Sequence, residues 1–306
     1  MPQPKTIAIR IISPMKIHLV DGTYELFRNY YGAPPKKLAD GREAGAALGL
    51  LRSLVALLGQ PGVTHVAYAF DHVIESFRND LYGGYKTGEG IDPDLWNQFQ
   101  LAEDVVAALG VIVWSMIEFE ADDALAAAAA RWKDEQSVEQ ILICSPDKDL
   151  TQMVSGNRIV SWDRRRDIVL DEAGVFTKFG VAPQSIPDWL ALVGDSADGY
   201  PGIPGWGAKS ASGVLSKFGH LEDIPHEVST WGIKGMAPGR AASLAVSLEQ
   251  HREEALLYRT LATLRTDVPL AEMLDELEWQ GALPHLKELC AELGDESIPE
   301  RVARWR

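Results

Sequence analysis

The chain has 306 residues, of which 46% are hydrophobic and 24% charged, with a formal net charge of −15 at pH 7. That is enough for one large core or two small ones, and no run approaches the roughly 18 consecutive apolar residues of a membrane helix. Taken alone, the negative charge opposes a nucleic-acid partner, unless many of the acids gather around bound cations.

The opening "MPQPKTIAIRIISPM" holds a short apolar stretch and no small-residue cleavage pattern, so no signal peptide is expected. Cys144, in an apolar run, and Cys290, in a helical pattern, read as reduced core thiols of a cytoplasmic protein. From residue 16 onward, apolar runs of strand length alternate with helical patterns. "KIHLVD" precedes "EAGAALGLLRSLVALLG", whose apolar residues recur at helical spacing. "HVAYAFD", the amphipathic "DPDLWNQFQLAEDVVAALG" and the short "VIVW" follow. Then come "EADDALAAAAARW", "QILICSP" and "RIVSWD". This alternation predicts an α/β fold with a mainly parallel central sheet flanked by helices. From about residue 183 the pattern is all-helical, with "GYPGIPGWGAKSA" as its most glycine-rich segment.

Asp21, Asp71 and Asp147 each end a predicted strand, and in an open parallel sheet ligands bind beyond the carboxyl ends of the strands. Glu120, Asp122 and Asp123 follow "VIVW" and open a helix at the same edge, Asp149 lies two residues past Asp147, and Asp195 and Asp198 in "LVGDSADG" end a later helical run. Singly, each has an ordinary explanation as a cap or turn residue, or as an acid favoured by a helix dipole. Together they would repel one another by several kcal/mol unless cations neutralised them. A donor set of carboxylates without histidine or cysteine suits Mg²⁺ or Mn²⁺, and two such ions are a standard device for phosphodiester hydrolysis.

The ordered set "LVDG…FR" (through Asp21 to Arg28), "FD…SFR" (Asp71, Arg78), "YGGYK" (Tyr82 to Lys86), "EADD", "DKDL" and "GDSADGYPGIPGWGAKSA" resembles the 5′ nucleases, which comprise the flap endonucleases and the 5′→3′ exonuclease domain of bacterial DNA polymerase I. The resemblance runs over about residues 16–265. It implies a PIN-like nuclease core at 16–182 with an arch region about 78–100. A helical region at 183–306 would carry a helix–hairpin–helix-type DNA-binding motif about 200–220, and residues 1–15 would be an extension. It further implies one ion held by Asp21, Asp71, Glu120 and Asp122, and a second served by Asp147, Asp149, Asp195 and Asp198, with Asp122 and Asp123 near both. Lys86 and Arg78 would stabilise the phosphate, while Arg28, Tyr82, Gly202, Gly205, Gly207, Lys209 and Ser210 would contact DNA. A K⁺ would be held by backbone carbonyls at the hairpin. The implied activity is that of a metal-dependent 5′→3′ exonuclease or flap endonuclease acting on DNA with 5′ flaps, nicks or free 5′ ends, or on RNA-primed DNA. A monomer is expected, with a replicative or repair polymerase as partner. No polymerase region follows, so a stand-alone nuclease is expected.

Two positions depart from the family pattern. Glu89 stands where an arginine is usual, three residues after Lys86, and Asp198 is followed by Gly199 where an asparagine is usual. "DRRRD" (Arg164 to Arg166) reads as a solvated hairpin turn, and Tyr24, Tyr82 and Tyr85 are candidates for base stacking. A haloacid-dehalogenase-type phosphatase is excluded, because its nucleophilic aspartate would fall at position 19, which is Leu19. The alternative is a structure-specific DNA-binding protein with weakened catalysis, for which only Glu89 and the neighbouring Asp92 and Asp94 speak.

Overall fold

A computed structural model of the chain describes residues 15–306. Residues 1–14 of the expected extension lie outside the described residues, and Met15, its last residue, is instead the first residue of strand β1 (Met15–Asp21). β1 runs directly into α1 (Gly22–Gly32), and α2 (Gly45–Leu58) returns the chain to β2 (His65–Asp71). Two short helices, α3 (Phe77–Leu81) and α4 (Pro93–Trp96), precede α5 (Phe99–Ala108) and β3 (Ile112–Met116). α6 (Ala121–Trp132) then carries the chain to β4 (Val138–Cys144), and β5 (Ile159–Asp163) and β6 (Ile168–Leu170) form a hairpin. Helices α7 (Glu172–Phe179), α8 (Ile186–Val193), α9 (Ala208–Phe218), α10 (Pro238–Gln250) and α11 (Arg252–Ala262) follow. The chain ends with α12 (Leu286–Glu292) and α13 (Ile298–Arg301).

The six strands lie in the order β3-β2-β1-β4-β5-β6, parallel except for the last pair. Side chains alternate between the faces of a strand, and both faces of the central strands are buried. Val20, Val66, Tyr68 and Cys144 pack under α2 and α5, while Ile17, Leu19, Ala67 and Ile143 pack under α6. α6 lies close to the sheet because Ala124, Ala126, Ala128 and Ala129 are fully buried and add little bulk. From β1 the chain builds outward through β2 to β3, then crosses to β4 on the other side of β1. The strand order therefore reverses beside β1, and at such a point a crevice opens beyond the carboxyl ends.

A second core joins α8 to α11 through Trp189, Trp206, Trp231 and Leu244, and takes in Tyr85 from the loop after α3. The helical region does not run unbroken to the end. Trp279, Leu286, Cys290, Leu293 and Ile298 return to the α2/α5 face of the sheet, where Trp279 Nε1 donates to the Leu109 carbonyl at 2.7 Å. They cover apolar surface that α2 and α5 would otherwise leave in water. Among the described residues, no helix is long and apolar enough to cross a membrane.

Candidate functional site

The chain turns from β1 into a helix at "LVDGT", and Asp21 serves both elements. It ends β1 and caps α1, its Oδ1 accepting from the Tyr24 N–H at 2.8 Å and its Oδ2 from the Ser145 hydroxyl at 2.9 Å. The next strand is tied to the same corner, because the Asp71 N–H donates to Thr23 Oγ1 at 2.8 Å. Asp71 Oδ1 in turn accepts from the Ala121 N–H at 2.7 Å, which fixes the first turn of α6 and with it Glu120 and Asp122. After β4, Ser145 Oγ accepts from the Asp147 N–H at 3.1 Å and Asp147 Oδ1 from the Asp149 N–H at 2.8 Å, so the "SPDKD" turn arranges its own carboxylates.

These segments line a cleft of about 370 Å³. Asp21, Asp71, Glu120, Asp122 and Asp147 give its lining an acidic part, and Tyr24, Phe27, Ile74 and Ile91 an apolar one. A hydrated ion needs little more than the roughly 30 Å³ share of each water, so the cleft has room for ions and a phosphodiester. Beside it, carboxylate oxygens of Asp149, Asp195 and Asp198 lie within 4.8 Å of one another. Lys86 joins the two groups, its Nζ 2.8 Å from Glu120 Oε2 and 3.2 Å from Asp198 Oδ1.

The acids are under electrostatic load. Burial, then the charges of Asp71 and Asp147, raise the Asp21 carboxyl. Burial and the charge of Asp147 raise Asp122, and burial and Asp147 likewise raise Asp149. Burial raises Asp71 and Asp198 as well, with Lys86 opposing it at both. Glu120 goes the other way: burial pushes it up, but Lys86 and Arg78 beside it hold it below the usual range. Two carboxylates about 5 Å apart repel by about 3 kcal/mol at an effective dielectric near 20. Asp149 Oδ1 is buried without a hydrogen-bond partner among the described residues and stands 3.6 Å from the Lys148 ammonium. An unpartnered buried oxygen within an all-carboxylate set fits a hard divalent cation.

Some expected site residues do not reach the cleft. Asp123 is fully buried and turned away. It accepts from Arg78 Nη1 and Nη2 at 2.7 and 2.8 Å, and from the Glu120 and Arg265 N–H groups at 3.0 and 2.9 Å. No lone pair on that carboxylate faces an ion, so the expectation that Asp123 ligates metal is corrected. Arg78 is corrected with it. It is 1% exposed, and its remaining N–H groups donate to the Leu261 and Thr263 carbonyls at 2.7 and 3.2 Å, so it joins the end of α11 to the core instead of facing a phosphate. Arg28 is also engaged internally, with buried Glu25 at 2.5 Å and Ser53 at 3.2 Å. Arg164, read as a solvated turn residue, reaches the same Glu25 at 3.3 Å, whereas Arg165 and Arg166 are exposed. Tyr85 is a core residue, and Tyr82 packs edge-on against Tyr258 at 5.8 Å. Residues 78–100, expected as an arch, are anchored to the core at points: Leu95 is fully buried and the Gly88 N–H is held by Glu75 at 2.9 Å. The segment is exposed at Asp80 and Leu81, at the loop tip with Glu89, and at Asp92 to Asp94 and Trp96.

At the glycine-rich turn, Gly202 is buried with φ +72°, and an added Cβ would lie 2.4 Å from the Gly194 nitrogen. Its glycine is required by that backbone contact and leaves no room for a phosphate. Ser210 Oγ accepts from the Gly207 N–H at 3.1 Å, closing the cap of α9. Gly205 and Lys209 are exposed and Gly207 is partly so. Two carbonyls of the turn where a K⁺ is expected have partners within the chain. The Pro204 carbonyl accepts from Ser247 Oγ and the Gly205 carbonyl from the Arg240 guanidinium, each at 2.5 Å. Gly199, the departure after Asp198, has φ +90°, and a Cβ there would lie 2.1 Å from the Gly84 oxygen. No asparagine fits while "YGGYK" is packed this way.

Sequence reasoning missed Lys148, Thr23 and Ser145. The lysine sits visibly between two acids in "DKD", whereas Ser145 carries no signal, because its role depends on β1 lying beside β4.

Residues 16–180 match the family described as 5′-3′ exonuclease, N-terminal resolvase-like domain, and residues 181–284 that described as 5′-3′ exonuclease, C-terminal SAM fold. DNA polymerase I of Bacillus caldotenax is 32% identical over 292 residues, which cover 94% of this chain and 32% of that protein. The chain thus spans about a third of the length of such relatives. A 5′-3′ exonuclease of Aquifex aeolicus is 35% identical over 209 residues, covering 68% of this chain and 71% of that one. Among solved structures, T5 5′-exonuclease with bound zinc shares the fold at a TM-score of 0.61 and 16% identity, covering 94% of this chain and 96% of that one. The catalytic core of Rad2 in complex with DNA substrate does so at 0.58 and 15%, covering 95% and 92%. With both halves matched in order, the chain belongs to the 5′-3′ exonuclease family.

Proposed function

We propose that the chain hydrolyses phosphodiester bonds of DNA at or near 5′ ends, as a divalent-metal-dependent 5′→3′ exonuclease and flap endonuclease. The observation that carries this reading is the meeting of acids from five separate segments at one sheet edge, where Asp149 keeps a buried oxygen without a hydrogen-bond partner among the described residues. Asp21, Asp71, Glu120 and Asp122 would hold one Mg²⁺ or Mn²⁺, and Asp147, Asp149, Asp195 and Asp198 a second. Bound there, such ions supply charge neutralisation at the scissile phosphate and an acidified water as nucleophile.

The chain's own groups do the positioning. Lys86 is 30% exposed at the cleft mouth between Glu120 and Asp198, and can donate to a non-bridging phosphate oxygen as negative charge grows there. Tyr24 and Phe27, in the lining of the same cleft, offer the terminal nucleotide an aromatic surface. Gly205 and Lys209, before and in the first turn of α9, would take a duplex phosphate through a backbone N–H and one ammonium. Residues 16–182 would then act as the nuclease core and the helices after 183 as the duplex grip, with the returning tail belonging to the core. A replicative or repair polymerase is the class of partner whose work leaves nicks and displaced 5′ ends, and a cytoplasmic monomer suits that task.

The test uses 5′-labelled flap, nicked, blunt and single-stranded DNA and an RNA-primed duplex, each with Mg²⁺ and with EDTA, alongside Asp147→Asn. Metal-dependent cleavage lost in the variant, with DNA binding kept, is the expected result. Binding without cleavage of any substrate would overturn the nuclease reading in favour of a DNA-binding module.

A further inference from the structure

Asp149, Asp195 and Asp198 bring carboxylate oxygens within 4.8 Å of one another, and several of those oxygens already have a partner. Asp195 Oδ1 accepts from the Ala197 N–H at 3.0 Å, and Asp198 Oδ1 lies 3.2 Å from the Lys86 ammonium. Of the other four oxygens, Asp195 Oδ2 and Asp149 Oδ1 are the two that meet Lys148. The first accepts a hydrogen bond from Lys148 Nζ, and the second, buried and otherwise without a hydrogen-bond partner among the described residues, stands 3.6 Å from the same nitrogen. One ammonium therefore sits against two of the oxygens through which a cation could bridge Asp149 and Asp195.

Lys148 can leave that position. Its side chain is 33% exposed and has a flexible four-carbon stem, while its carbonyl is anchored by the Thr151 N–H at 3.0 Å. The backbone can stay in place while the head group swings to solvent. Lys86 differs, because it bridges Glu120 and Asp198, one acid from each carboxylate group, and leaves the Asp149–Asp195 pair alone.

We propose that Lys148 is a tethered counter-ion of the second carboxylate group and sets that site's affinity for a divalent cation by competing for Asp149 Oδ1 and Asp195 Oδ2. The inference rests on the metal-binding part of the proposed function. Without the second ion, the lysine keeps two buried carboxylates from facing each other uncompensated. When an ion enters, the ammonium must move away, and the site loads later than its neighbour for that reason.

Mn²⁺ binding to the full chain, followed by the spectroscopic signal of free Mn²⁺ and by calorimetry, tests this without reference to activity. The wild-type chain is expected to bind one ion and then a second at least about tenfold more weakly, in keeping with an ammonium held near ion-pair distance. Lys148→Met should tighten the second Kd by at least about tenfold and leave the first unchanged, while Lys148→Arg stays near wild type. Lys148→Gln, which removes the charge but keeps a polar head, should follow Lys148→Met, with circular dichroism confirming that each variant folds. A second Kd that is unchanged or weakened in Lys148→Met and Lys148→Gln overturns the inference and leaves the metal reading standing. Absence of Mn²⁺ binding by all four proteins overturns both.

Discussion

Replacing Arg78 with methionine separates two roles that sequence reasoning could not distinguish. Arg78 is 1% exposed and donates to both oxygens of Asp123, which is fully buried, and to the carbonyls of Leu261 and Thr263. In Arg78→Met, the Asp123 carboxylate keeps only its two backbone donors, and two carbonyls at the end of α11 lose their partner. Removing one member of a buried ion pair costs about 3–5 kcal/mol, because the other charge is left uncompensated. For a chain of this size unfolding as a unit, each kcal/mol moves Tm by about 1.5–2 °C, so a fall of about 5–10 °C is expected. Arg78→Met/Asp123→Asn, which removes the stranded charge, should regain about half of the loss. The assay is thermal unfolding of the wild type and both variants in EDTA at neutral pH, paired with cleavage well below the lower Tm. An unchanged Tm for Arg78→Met, together with a rate loss of about a hundredfold or more, would show that Arg78 serves the phosphate and refute the structural assignment.

Burial raises the Asp21 carboxyl to about 7 from its usual 3.8, and it raises Asp71 as well. The stability contributed by their protonated forms is full below the unfolded pKa and is lost as pH rises through the folded one. Glu120 is shifted the opposite way and loses its contribution only below its ordinary 4.5. Between about pH 5 and 8, the metal-free protein should therefore melt at lower temperature as pH rises, and Mg²⁺ should restore more at the upper end, read by calorimetry with and without EDTA; a flat profile would contradict the burial of these acids. Gly199→Asn, the residue usual at that position in the family, meets the Gly84 oxygen and a φ of +90°. It should cost about 2 kcal/mol or more in thermal unfolding and slow cleavage by displacing Lys86. Lys209→Ala should weaken all duplexes alike and reduce the salt slope of binding by about one ion, measured by anisotropy across a salt series. Glu89→Arg, at an exposed loop tip, should raise the rate on single-stranded 5′ flaps more than on nicked duplex; equal gains would place residue 89 away from the passing strand.

What the sequence determined by itself is local in origin. Continuous apolar runs call for strands buried on both faces, and their alternation with helices calls for parallel pairing. An aspartate ending such a run must then lie at the carboxyl edge, so Asp21, Asp71 and Asp147 could be assigned to one place before any coordinates. The capping habit of Asp21 and its place in the acidic part of the lining proved compatible, because the cap uses Oδ1 on the Tyr24 N–H and Ser145 holds Oδ2. Where each side chain points depends on contacts made across the folded chain. Asp122 and Asp123 are neighbours in the same helical turn, yet one lines the cleft and the other meets an arginine whose further partner, Leu261, lies 183 residues away in sequence. Gly202 and Gly205 look alike in "PGIPG", but Gly202 is required by the Gly194 backbone and only Gly205 lies open. Likewise, the tail from Trp279 continues the helical pattern in sequence, while its apolar residues fill the α2/α5 face. Local periodicity reflects near neighbours and fixes which element forms, whereas the direction of a charge or the need for a glycine depends on atoms that only folding brings close.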